Sequence, residues 1–190
     1  MAQFDRIIVF SGHMIDRPNR PKPRFPTSKE NMVAKQILVQ LQRWDMGAKD
    51  LAIVSGACGG DILFAEACLK LGLTVKLYLA LPETEFIERS VRIDHTDWEE
   101  RYQKLSQNKK VSKEYLDNYQ GELTEGISVF AQTNLWIINT AFQIASEGNL
   151  YALLVWDEKP TGDGQGGTSD FVNKIQTSCG NIAIINPTKI

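Results

Sequence analysis

The chain has 190 residues, a formal net charge of −2, 43% hydrophobic and 23% charged residues. This composition suits one globular domain, residues 1–190, with a substantial core, and argues against a protein-wide nucleic-acid surface. No apolar run approaches the roughly 20 residues of a membrane-spanning helix. The first residues carry no basic lead, long apolar stretch or cleavage site, so no signal peptide is expected. Cys58, Cys68 and Cys179 form an odd set without metal-ligand spacing, which points to reduced thiols and a cytoplasmic protein. Of the three, Cys58 lies inside a glycine turn, as either a reactive thiol or a small filler.

Arg6 to Phe10 reads as the first strand, followed by Ser11-Gly12-His13-Met14-Ile15-Asp16. Arg17 to Pro26 then holds four prolines and four basic residues, Arg17, Arg20, Lys22 and Arg24. Prolines exclude helix and central strand there. The segment is either a solvated basic loop or a lid carrying guanidinium groups to a phosphate. A first helix is expected from Thr27, with Thr27 and Glu30 as a capping box, to about Met46. Val33, Ile37, Leu41 and Trp44 mark its inner face.

Leu51 to Val54 has the apolar character of a buried parallel strand. Gly56, Gly59 and Gly60 follow, and a helix begins near Asp61 and ends at Gly72. A strand, glycine turn and helix in this order aim backbone N–H groups and the positive end of a helix dipole at one point, which suits a phosphate. The alternative is a tight turn into a packed helix. Leu73 to Leu81 forms the next strand, and Glu83 to Arg92 a helical segment. Thr96-Asp97-Trp98-Glu99 reads as a second capping box, opening a helix with Trp98, Tyr102 and Leu105 buried. Within Lys109 to Gly126, only Val111 to Leu116 suggests a strand, and its charges make it a poor central one.

Ile127 to Glu147 reads as a long amphipathic helix with Asn134 in the middle of its apolar face. A buried amide costs about 1–3 kcal/mol unless its hydrogen bonds are met. Asn134 therefore anchors a neighbouring loop or reads a ligand. Leu150 to Trp156 is a central strand. The next loop holds Gly162, Gly164, Gly166 and Gly167, and leads to Thr168, a candidate N-cap for a helix to Ser178. Asn181 to Ile185 is the last strand.

Strands alternating with helices imply an α/β fold: a single Rossmann-like, doubly wound domain with a mainly parallel sheet and helices on both faces. Ligands of such sheets lie outside the carboxyl ends of the strands, where the strand order reverses. Both glycine turns and the basic loop emerge at that edge.

Ser55-Gly56-Ala57-Cys58-Gly59-Gly60-Asp61 resembles the Ser-Gly-x-Ala-x-Gly-Ile-Asp turn of the DNA-processing protein A family. Gly164-Gln165-Gly166-Gly167-Thr168 resembles the Pro-Gly-Gly-x-Gly-Thr-x-x-Glu turn of the "lonely guy" (lysine-decarboxylase-like) phosphoribohydrolases. Asp97-Trp98 and Thr133-Asn134 resemble the Asp-Trp and Arg-Asn elements of some relatives, with Thr133 in place of the arginine. Both families belong to the Rossmann-like SLOG superfamily, and the resemblance implies a domain that binds nucleotides or nucleotide derivatives, often as a sensor in signalling. Phe171 stands where the phosphoribohydrolases carry glutamate.

The expected ligand site comprises Ser11, Gly12, Ser55, Gly56, Gly59, Gly60, Asp61, Asn134, Gly166, Gly167 and Thr168. Gly59, Gly60 and Asp61 take the phosphate or ribose end, and Gly166, Gly167 and Thr168 take a second phosphate-like group. No cofactor or metal is required, and a second copy or an effector protein is the expected partner. The alternative is a nucleotide N-glycosidase or deoxyribosyltransferase, for which Glu83 and Glu85 are the candidate carboxylates; Glu66 is disfavoured by its i,i+4 pairing with Lys70. Single-stranded DNA binding would need a basic groove with stacking aromatics, and beyond Arg17 to Arg24 none is visible.

Overall fold

Every strand read from the sequence is present, and all pair in the same direction. The computed structural model describes residues 4–118, 125–159, 167–176 and 179–190. The strands are β1 (Ile7–Gly12), β2 (Leu51–Val54), β3 (Thr74–Leu79), β4 (Val111–Tyr115), β5 (Leu150–Val155) and β6 (Asn181–Ile185). They form one parallel sheet in the order β4-β3-β2-β1-β5-β6. The chain steps outward from β1 to β4, then returns to lay β5 on the other side of β1. The order therefore reverses between β1 and β5, and the crevice of a doubly wound sheet opens there.

The helices are α1 (Glu30–Arg43), α2 (Gly60–Leu71), α3 (Glu83–Phe86), α4 (Trp98–Ser106), α5 (Val129–Ile144) and α6 (Thr168–Ile175). Alternation along β1 sorts the core into two layers. Ile8 and Phe10 face α1, α2 and α4, in a cluster with Val33, Ile37, Ile62 and Tyr102. Ile7 and Val9 face the opposite layer, with Ile137 and Ala141 of α5 and Phe171 and Ile175 of α6. Phe171, which the resemblance sets opposite the phosphoribohydrolase glutamate, is fully buried there and belongs to the core.

α2 ends as the sequence suggests. Gly72 has φ of +89°, the Leu73 N–H donates to the Cys68 carbonyl at 3.0 Å, and the Gly72 N–H to that of Leu69 at 3.0 Å. This is a Schellman closure. α1 closes in the same way at Arg43, because Asp45 takes a φ of +54° and the Met46 N–H donates to the Leu41 carbonyl at 3.0 Å. A capped stop explains why the apolar pattern runs past the helix itself.

Several local expectations are corrected. Neither capping box forms: Thr27 opens a short 3-10 turn, Thr27–Lys29, ahead of α1, and Thr96 Oγ1 donates to the Ile93 carbonyl at 2.7 Å. Gly167, not Thr168, stands at the N-cap of α6. Glu66 pairs with Arg101 rather than Lys70, through contacts of 2.9 and 2.6 Å, and Arg101 also reaches Glu30 at 2.7 Å. That fork joins α4 to α2 and α1 through side chains distant in sequence. The charged segment at Val111 is an edge strand, consistent with its half-buried residues. No helix among the described residues is long and apolar enough to cross a membrane.

Candidate functional site

β1 and β5 run side by side in register from Ile7 opposite Leu150 to Gly12 opposite Val155. They therefore end at the same height, and the His13 N–H still donates to the Val155 carbonyl at 2.9 Å. The residues just beyond, His13 and Asp157, meet over the crevice, with His13 Nε2 3.0 Å from Asp157 Oδ1. Arg24 Nη2 lies 2.8 Å from His13 Nδ1. The same Nη2 lies 3.1 Å from His13 Nε2, so the imidazole is held between the Arg24 guanidinium and Asp157. The Asp157 N–H also lies 3.1 Å from Nε2.

Burial pushes the Asp157 carboxyl up, but the hydrogen bond and charge of His13 and the charge of Arg24 outweigh it. Asp157 therefore lies below the ordinary carboxylate value. With both ring nitrogens engaged, His13 fastens the basic loop to the end of β5. It is a clamp more than a base.

The basic loop is closed at its neck as well. Asp16 Oδ2 accepts from the Arg24 and Phe25 N–H groups at 2.8 and 2.9 Å, and the Asp16 N–H donates to the Phe25 carbonyl at 2.8 Å. Phe25 is fully buried, which contributes about 1.5–3 kcal/mol toward holding the loop down. Prolines stiffen the span between. Arg17, Arg20 and Arg24 are thereby presented to a cavity of about 670 Å³, within the range of small-molecule sites.

Ser11, Gly12, Ser55, Asp61, Asn134, Gly167 and Thr168 also line this cavity, so the structure gathers most of the expected residues in one place. Gly162, Gly164 and Gly166 lie outside the described residues. Phe86, Arg89 and Phe130 also line the cavity. Arg89 and Ser90 reach it because the chain after α3 widens into a π-helical turn, Ile87–Val91, closed by the Arg92 N–H on the Ile87 carbonyl at 2.8 Å. The Arg89 guanidinium carbon lies 5.9 Å from the centre of the half-buried Phe130 ring, within cation–π reach.

The glycine turn behaves differently from the expectation of a phosphate cradle. Its wall of the cavity is Ser55, Ala57 and Asp61, with Gly56, Gly59 and Gly60 set behind it. Gly59 has φ of +94°, and a Cβ there would lie 2.3 Å from the Ile15 nitrogen. The Gly60 N–H donates to the His13 carbonyl at 3.1 Å. Both glycines let α2 approach the backbone after β1. Cys58 is fully buried, and burial followed by the nearby Asp61 charge pushes its thiol up to about 12, so it is an inert filler.

Glu83 and Glu85 lie outside the cavity wall. Glu83 accepts from Lys113 Nζ at 2.9 and 2.8 Å and from the Tyr102 and Tyr115 hydroxyls at 3.2 and 3.3 Å. Burial raises this carboxyl, but those partners outweigh it and the net shift is downward, opposite to what a general acid needs. Glu85 pairs with Arg89 at 2.9 Å on the exposed side. No group of three or more His, Cys, Asp or Glu among the described residues is placed to hold a metal ion.

Sequence reading passed over His13, Asp157, Arg89 and Phe130 as site residues. His13 and Asp157 did carry a signal, since each follows directly on a parallel strand; their meeting depends on strand order. No family model matches the chain, and no curated protein matches its sequence.

Proposed function

We propose that this cavity binds a nucleotide or nucleotide-derived small molecule, and that the chain is a cytoplasmic sensor or signalling module of the SLOG type. The observation that carries the reading is the cavity itself. It lies where the strand order reverses, and both the clamped arginine loop and Phe130 contribute to its walls. Guanidinium groups suit phosphate oxygens, and an aromatic face suits a base. The volume of the site is on the scale of a small molecule. Ligand-dependent ordering around the site would pass the signal to a second copy or an effector protein.

The rival reading, cleavage of an N-glycosidic bond, draws on one observation: the Asp61 carboxyl faces the cavity and burial raises it to about 7. A carboxyl near neutrality is suited to acid–base work.

Calorimetry with AMP and NAD, followed by an assay for free base, tests both readings. Binding without base release is expected. Arg17 is exposed, lines the cavity and is no part of the loop's neck, so Arg17→Ala should weaken AMP about tenfold without changing Tm. A wild-type protein indifferent to both ligands would overturn the proposal. Base release at enzyme-like rates, lost in Asp61→Asn, would install the rival.

A further inference from the structure

Six of the N–H groups around the start of α2 are already engaged within the fold. The Gly56 and Ala57 N–H groups donate to Asp61 Oδ2 at 3.1 and 3.2 Å. The Cys58 N–H donates to the Ser90 carbonyl at 2.8 Å, and the Gly60 N–H to the His13 carbonyl at 3.1 Å. The Ile62 and Leu63 N–H groups point back to the Ala57 and Gly59 carbonyls at 3.3 and 3.1 Å. The Asp61 carboxylate thus occupies the seat that a bound phosphate would take in an open glycine turn.

Asp61 is only 7% exposed, and it still lines the cavity. Burial raises its carboxyl, and hydrogen bonding from the Ala57, Gly56 and Gly12 amides only partly offsets the rise. A carboxylate has about four acceptor positions, and three amides leave roughly one for a ligand. An arriving anion meets like charge here, whereas a hydroxyl finds an acceptor in a low-dielectric wall. Arg17, Arg20 and Arg24 line the same cavity from the loop, with Arg24 also held against His13.

We propose that Asp61 receives the hydroxyl-bearing sugar end of a ribonucleotide, and that the phosphate end lies against the arginine loop rather than at the glycine turn. The polarity follows from the Asp61 carboxylate in the glycine turn, which repels an anion, and from the positive charge of the loop, where Arg17 is exposed. It rests on the nucleotide reading above.

The test uses AMP, 2′,3′-dideoxyadenosine monophosphate and inorganic pyrophosphate as probes, titrated into the wild-type protein and Asp61→Asn. Asparagine keeps an oxygen for the Gly56 and Ala57 amides and removes the charge. The wild-type protein should prefer AMP to the dideoxy compound about tenfold or more, and Asp61→Asn should erase the preference while pyrophosphate affinity stays within about twofold. A preference that survives in Asp61→Asn overturns the assignment of Asp61. Pyrophosphate binding about tenfold tighter in Asp61→Asn places the anion at the glycine turn and overturns the polarity. Adenylates that fail where pyrophosphate binds sink the nucleotide reading alone, and the pyrophosphate ratio still decides where the anion sits. Wild-type protein that binds none of the three overturns both. The AMP preference of the wild-type protein at about pH 5.5 and pH 8 repeats the test without a substitution; it should shrink at the lower pH, and a constant preference counts against Asp61.

Discussion

Replacing Gly59 by alanine separates a glycine that packs from one that admits a ligand. Its φ of +94° and ψ of −125° lie where side chains are strained, at a cost of about 1–3 kcal/mol. A Cβ would also stand 2.3 Å from the Ile15 nitrogen and 2.9 Å from the Met14 carbonyl carbon. Those atoms are backbone, and they belong to the segment that pairs Met14 with Gly59 and leads into the arginine loop. Relieving the clash means moving that segment, for about 1–3 kcal/mol more. A loss of about 2–6 kcal/mol is expected, a large share of the 5–15 kcal/mol typical of a domain. Gly47 is the control, since nothing lies within 4 Å of its Cβ position and its φ is not positive. Gly47→Ala should be neutral or stabilising by up to about 1 kcal/mol. Urea denaturation of the two variants and the wild-type protein, followed by circular dichroism, gives the comparison. Gly59→Ala within about 1 kcal/mol of wild type, combined with lost AMP binding, would refute the packing argument and restore the phosphate cradle.

Asp61 should also make stability fall with rising pH. Its folded-state carboxyl titrates at about 7 against an ordinary 3.8, so the stabilisation is complete below about 3.8 and lost as pH rises through 7. At about 1.4 kcal/mol per pH unit the change is at most about 4 kcal/mol, read as the stability difference between wild type and Asp61→Asn from about pH 4.5 to pH 8; a flat difference counts against it. Glu83→Gln should cost about 1–2 kcal/mol, because Lys113 and two tyrosine hydroxyls lose a charged partner, and should leave AMP affinity unchanged. Lost affinity at full stability would return Glu83 to the site.

Much of this protein is written in local pattern. The strands and principal helices follow from the spacing of apolar residues, and Gly72 and the buried Asn134 stand out because each breaks that spacing in an interpretable way. Such signals survive in sequence because the backbone repeats every two residues in a strand and about every 3.6 in a helix. The tertiary structure decided what those elements do to one another. His13 and Asp157 meet across 144 residues only because β5 lies beside β1, and strand order has no local signature. Glu83 and Glu85 emerge near the ligand edge in sequence, yet long-range and local basic partners hold them elsewhere. The glycine turn makes the same point. Its sequence promises N–H groups near α2, but whether those groups are free depends on Asp61, His13 and Ser90, whose positions only the folded chain fixes.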